Sequence, residues 1–137
     1  MRQRRRGFTL VELLICVAIV LVIAAIVSPH LAGALQTTYE TTAVRNIQTI
    51  HTSQAQYFAT NRSFAGSLAE LGQPEQLRDG RHNSYLFRLE PTVTGYAITA
   101  TPEKPGKTAH ETYYSDESQV IRHARGRPAG LESPPIE

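Results

Sequence analysis

Gly7-Phe8-Thr9-Leu10-Val11-Glu12-Leu13-Leu14-Ile15-Cys16-Val17-Ala18-Ile19-Val20-Leu21-Val22-Ile23-Ala24-Ala25-Ile26-Val27 is the stretch on which the fold turns. From Phe8 to Val27 only Thr9 and Glu12 interrupt an otherwise apolar run. At about 1.5 Å per residue, ~20 helical residues match a bilayer core of ~30 Å, so the run predicts a membrane-spanning helix. Arg2, Arg4, Arg5 and Arg6 precede it, and no Lys or Arg follows until Arg45. That asymmetry places the N-terminus in the cytoplasm and the rest of the chain across the membrane.

Outside this run the chain is modest. Its 137 residues admit one domain and exclude a multidomain enzyme. The formal net charge of +2 is smaller than the charge of the four leading arginines, so everything after Gly7 is net acidic. The basic pI belongs to the leader. Cys16, the single cysteine, lies inside the apolar run, which leaves nothing for an intramolecular disulfide.

An ordinary secretory signal with a cut near Ala32-Gly33-Ala34 is the plain alternative, but the apolar run exceeds the ~7–15 residues of a usual signal core. Glu12 also needs an explanation, because a carboxylate at membrane depth calls for a cationic partner. No Lys or Arg between residues 8 and 44 provides one. A new α-amine at Phe8 would.

The string from Gly7 to Leu14, behind a short arginine-rich leader, resembles the prepilin signature of type IV pilins and type II secretion pseudopilins. The resemblance implies a membrane peptidase that cuts after Gly7 and methylates Phe8. It maps the assembly glutamate onto Glu12, paired with the Phe8 amine of a neighbouring subunit, and the helix-interrupting proline onto Pro29. Gly33, four residues on, weakens the helix further.

Beyond Pro29, Leu31, Leu35, Tyr39, Ala43, Ile47, Ile50, Gln54 and Phe58 recur at three- or four-residue spacing, predicting one covered stripe on a helix running to about Thr60. Thr37, Thr38, Thr41 and Thr42 are indifferent helix formers, so this part depends on packing. A helix from Phe8 to Thr60 would be about 80 Å long, and its apolar half must be solvated by lipid or by copies of itself. This is the physical reason to expect a polymer.

Ser67-Leu68-Ala69-Glu70 reads as a capping box closed by Gly72. Strand-like alternation follows at Tyr85–Glu90, Tyr96–Thr101, Thr112–Ser115 and Gln119–His123, with turns between, which predicts an antiparallel meander over the helix stripe. The fold class is therefore α+β. A long N-terminal helix, its first half transmembrane, packs its second half on a small antiparallel sheet, as the pilin resemblance implies. The expected divisions are a leader at 1–7, a membrane and polymerisation helix at 8–30, an amphipathic half at 31–60, a globular part at 61–125 and a Pro/Gly-rich tail at 126–137. The tail is expected at the filament surface or against the sheet. Many pilins close this end with a disulfide, which this chain cannot form.

No nucleophile and base, zinc spacing or phosphate loop is legible, so the chain reads as a non-enzyme with no catalytic residues and no cofactor. The pseudopilin resemblance makes Asp116 and Glu117 candidate calcium ligands, but two adjacent carboxylates are more often a solvated turn, and the metal assignment stays open. Arg122, His123, Arg125 and Arg127, with Arg78, Arg81 and His82, are candidate contacts to DNA or acidic polysaccharide, weighed against an ordinary solvated surface. Asn61-Arg62-Ser63 matches a glycosylation sequon that carries no weight. The leading reading is the major subunit of a type IV pilus-like filament. Its alternatives are a type II secretion pseudopilin, or a minor or tip pilin binding a ligand or DNA. Implied partners are other copies of the chain, the prepilin peptidase, and an inner-membrane assembly platform with its cytoplasmic ATPase. The implied location is the bacterial inner membrane before assembly and an extracellular pilus or periplasmic pseudopilus afterwards.

Overall fold

The computed structural model describes residues 7–72 and 75–136, without the side chains of Pro29 and His30. The arginines of the leader lie outside the described residues. Helix α1 (Leu10–Asn61) is followed by a short helix α2 (Leu68–Leu71), a single 3-10 turn (Glu75–Leu77) and five strands. These are β1 (Arg81–His82), β2 (Tyr85–Pro91), β3 (Tyr96–Pro102), β4 (Glu111–Asp116) and β5 (Arg122–Arg125). The strands form one antiparallel sheet in the order β1-β2-β3-β4-β5, so the predicted α+β meander is the observed architecture. The chain divides into two compact units, residues 1–34 and 35–137.

In the first unit every described side chain is exposed. α1 carries there a window long and apolar enough to cross a membrane, none of it buried by the rest of the chain.

In the second unit the helix stripe is covered from Tyr39 to Gln54. Ala43, Ile47 and Ile50 are buried against Phe87 and Leu89 of β2, Ile98 and Ala100 of β3, and Tyr113 of β4. Strict alternation on β3, with Tyr96, Ile98 and Ala100 inward, supplies the sheet side of this core. The ends of the predicted stripe are not covered: Leu31 is 58% exposed, Leu35 45% and Phe58 40%. Phe58 instead stacks on Phe64 with ring centroids 4.7 Å apart. The threonines are accommodated by donating their hydroxyls to the carbonyl one turn back, as from Thr41 to Thr37 and from Thr42 to Thr38.

Gln54 has no exposed surface, yet it sits on the apolar stripe. Its amide closes a two-way bond with the backbone of Ala65, Nε2 donating to the carbonyl and Oε1 accepting from the N–H, both at 2.9 Å. The loop after α1 is thereby held as a strand neighbour would hold it. The capping box forms as expected: Ser67 Oγ accepts from the Glu70 N–H at 3.3 Å, Glu70 Oε2 accepts from the Gly66 N–H at 2.7 Å, and Gly72 closes the turn in the left-handed region.

Two features of the sheet differ from the sequence expectation. Strand β1 was not anticipated, because two residues are too few to show a period. It is joined to β2 through Asn83 and Ser84, both at positive φ, the two-residue turn whose twist suits a hairpin. Gly80 precedes it at φ 78°, where a Cβ would stand 2.7 Å from the Phe87 carbonyl oxygen. The last strand runs from Arg122 to Arg125, not from Gln119 to His123. Gln119 is still turning, at φ 62° with its N–H bonded to the Asp116 carbonyl, and Ile121 dips into the core before pairing begins.

The Pro/Gly-rich tail returns along β5. Pro134 accepts from the His123 N–H, the Ile136 N–H donates to the Ile121 carbonyl, and Arg122 donates to the Ser133 carbonyl. The tail covers the open edge that β5 would otherwise expose.

Candidate functional site: the N-terminal cap and the apolar helix

The residues singled out at the start of the chain lie together at the first turn of α1. Helix formation begins at Leu10, with Thr9 in the capping position. Thr9 Oγ1 accepts from the Glu12 N–H at 3.3 Å, and Glu12 Oε2 accepts from the Thr9 N–H at 3.0 Å and from the Thr9 hydroxyl at 2.9 Å. This is a reciprocal capping box, with two free helix donors satisfied by the two side chains. Before any processing, Glu12 thus has a partner in its own chain. The signal was in the sequence, as Thr-x-x-Glu ahead of an apolar run, and reading Glu12 only as a charge in search of a cation passed over it.

Gly7 and Phe8 border this cap. Phe8 is 72% exposed, and a Cβ added at Gly7 would meet nothing within 4 Å. Nothing inside the described chain therefore requires glycine at position 7. A Cβ added at Gly33 would likewise meet nothing within 4 Å. The interruption expected at Pro29 and Gly33 is not seen in the isolated chain, where α1 is one helix across both. Ser28 Oγ, just before Pro29, bonds the Ala24 carbonyl at 2.8 Å. Proline itself has no N–H to offer the turn behind it.

The weaker candidates are distributed through the second unit. Asp116 accepts from the N–H and hydroxyl of Ser118, and Glu117 accepts from the Thr94 hydroxyl, so both carboxylates have local partners. Among the described residues no three His, Cys, Asp or Glu side chains converge as a metal site. Of the basic candidates, His123 lies 3.0 Å from Glu111, Arg81 lies 3.9 Å from Glu103, and Arg122 is held by the tail. Asn61 of the sequon is the last residue of α1, and its amide donates to the Tyr57 carbonyl.

One residue absent from the sequence reading is His51, only 6% exposed. Its Nδ1 lies 2.7 Å from the Tyr96 hydroxyl and its Nε2 2.8 Å from the Ser115 hydroxyl, joining α1 to β3 and β4. Burial holds its pKa below the ordinary histidine value, against a smaller opposing pull from Asp116. Burial likewise pushes the Tyr96 phenol up to about 12, with Glu117 and Asp116 adding to it. A histidine on a helix face shows no period of its own, so only the structure reveals it.

Fold and cap together define a pilin-like chain: residues 2–28 match the prokaryotic N-terminal methylation motif, and an α+β domain follows the apolar helix. Over most of its length it is similar to the type IV major pilin protein PilA of Myxococcus xanthus, 28% identical over 116 residues. That alignment covers 84% of this chain and 50% of the pilin, so the chain spans about half of that relative. It is also similar to the type II secretion system core protein G of Dickeya chrysanthemi, 27% identical over 125 residues, which make up 85% of this chain and 81% of that protein. No solved structure matches the chain.

Proposed function

We propose that the chain is a structural subunit of a type IV pilus-like filament, cut after Gly7, methylated at Phe8 and assembled through its apolar helix. The observation that carries this reading is the methylation motif over residues 2–28, which covers the start of a helix whose apolar, membrane-length window is nowhere buried by the described chain. Such a surface is stable only in lipid or against other apolar helices. The subunit waits in the inner membrane with its N-terminus in the cytoplasm. It then passes to the filament through the prepilin peptidase and an assembly platform driven by a cytoplasmic ATPase. It converts no substrate.

Processing changes the cap. A cut before Phe8 creates an amine one residue ahead of Thr9, and in a bundle of helices the Glu12 carboxylate of one subunit pairs with the Phe8 amine of the next. Two charges are cancelled in a dry core and the axial register is set. Pro29 and Gly33 mark the segment that gives up helicity when the helices pack.

Mass spectrometry of the N-terminus, in envelope and in sheared surface fractions, tests the proposal. A chain beginning at methylated Phe8 in sheared fibres is the expected result, and Glu12→Val is expected to insert in the membrane yet fail to build fibres. A chain beginning near Leu35, or normal fibres from Glu12→Val, would overturn it. The second reading is a pseudopilin, and the observation favouring it is the alignment with 81% of the core protein G against 50% of the major pilin. Methylated Phe8 confined to the envelope selects that reading.

A further inference from the structure

The bonds around His51 run in one direction. Ser115 is fully buried and donates its single hydroxyl hydrogen to the Val120 carbonyl at 3.0 Å. It is therefore left only to accept from His51, which places the ring proton on Nε2 and leaves Nδ1 as the bare acceptor for the Tyr96 hydroxyl. The relay runs from Tyr96 on β3, through the ring on α1, to Ser115 on β4 and on to the backbone at Val120. The imidazole edge also lines an open groove of about 470 Å³, bordered by Gln48, Thr52, Ala55, Gln119 and Ile121, through which water reaches it.

From this geometry we infer that His51 is a protonation-sensitive latch: its neutral Nε2–H form fastens α1 to β3 and β4, and a proton added at Nδ1 loosens that seam. The added proton turns Nδ1 into a donor, so the Tyr96 oxygen must accept. The phenol hydrogen then loses its acceptor, and a cation stands on a ring that is largely withdrawn from solvent. On α1 the groove neighbours Gln48 and Thr52 are uncharged, and so are Gln119 and Ile121 after β4. On β3, Tyr96 stays neutral. On β4, Asp116 favours the charged ring, while Glu117 beyond it acts on Tyr96. Burial outweighs Asp116. With the folded-state pKa lowered, the unfolded chain takes up the proton more readily. The latch is therefore fully effective above the ordinary 6.5 of histidine and weakens as pH falls through and below it.

Two measurements on the full chain in detergent micelles test this. Nitrogen-15 correlation spectra of the histidine rings at neutral pH should give the Nε2–H pattern for His51. The urea midpoint should fall further between pH ~7.5 and pH ~5 in the wild type than in His51→Gln, the difference isolating His51 from the other four histidines of the chain. An Nδ1–H pattern, or equal losses in both proteins, would overturn the latch. Should His51→Gln fail to fold, Tyr96→Phe serves. It removes the donor to the neutral ring, so His51 should titrate at a higher pH than in the wild type, and an unchanged titration would equally overturn it.

Discussion

The two halves of α1 are the same secondary structure held by different means. Before Leu35, Leu10, Leu21 and Ile26 each keep more than half their surface open, whereas beyond Tyr39, Ala43, Ile47 and Ile50 keep 1% or less. The later half carries threonines that favour other conformations, and it is helical because the sheet covers one face. The earlier half is rich in side chains that no part of its own chain covers. Regular backbone alone therefore says nothing about where the stabilising contacts come from. In one half they are intramolecular, and in the other the lipid or a second copy has to provide them.

The largest effect that would break this contrast lies at Gly7. Gly7→Val has open space on its own chain and should fold normally, yet it should keep its leader and lose assembly entirely. Recovery of a chain beginning at Phe8 from that variant would show that glycine is not required there. Next is a matched pair in the two halves. Ile47→Ala deletes a fully buried side chain and should destabilise the second unit by about 2–5 kcal/mol. Ile19→Ala, on a residue 54% exposed, should leave the urea midpoint of that unit within about 0.5 kcal/mol while weakening filaments. The chain has no tryptophan, so near-ultraviolet circular dichroism of its tyrosines is the readout. A smaller loss, about 1–3 kcal/mol, is expected for Gln54→Ala, which leaves the buried N–H and carbonyl of Ala65 unpaired.

These pairs also explain how much could be read in advance. The helix, its apolar start and strands β2 to β4 were legible because their periods are long and strict, as in the inward Tyr96, Ile98 and Ala100. Strand β1 was not, since its place depends on Gly80 and a turn at Asn83 and Ser84 and not on a period. The last strand was misplaced by three residues at its start because Val120 and Ile121 look like strand but serve the turn and the core. In the candidate site, Gly7, Phe8 and Glu12 were legible as a motif, whereas the Thr9 cap and the His51 relay depend on hydrogen bonds that spacing does not record.

The smallest effect is the most direct comparison, because the same four-residue device occurs in both regions. Ser67 and Glu70 cap α2, and Thr9 and Glu12 cap α1, with the same reciprocal logic. Ser67→Ala should cost the second unit about 1 kcal/mol, since α2 packs Leu68 and Leu71 against the core and the loss is felt there. Thr9→Ala should not move the midpoint of that unit at all, because the bonds of this cap run between residues of the first unit. Its expected consequence is on the carboxylate: Glu12 loses the hydroxyl that holds it to its own helix end and keeps only the backbone N–H. If the cap competes with the Phe8 amine of a neighbour, filaments of Thr9→Ala should form at least as readily as those of the wild type. Should they fail, Thr9 does more than park the carboxylate, and the cap must be counted among the contacts of the assembled state. Counting fibres per cell for the two threonine forms distinguishes these outcomes, with Ser67→Ala as the control for a cap that matters only to folding.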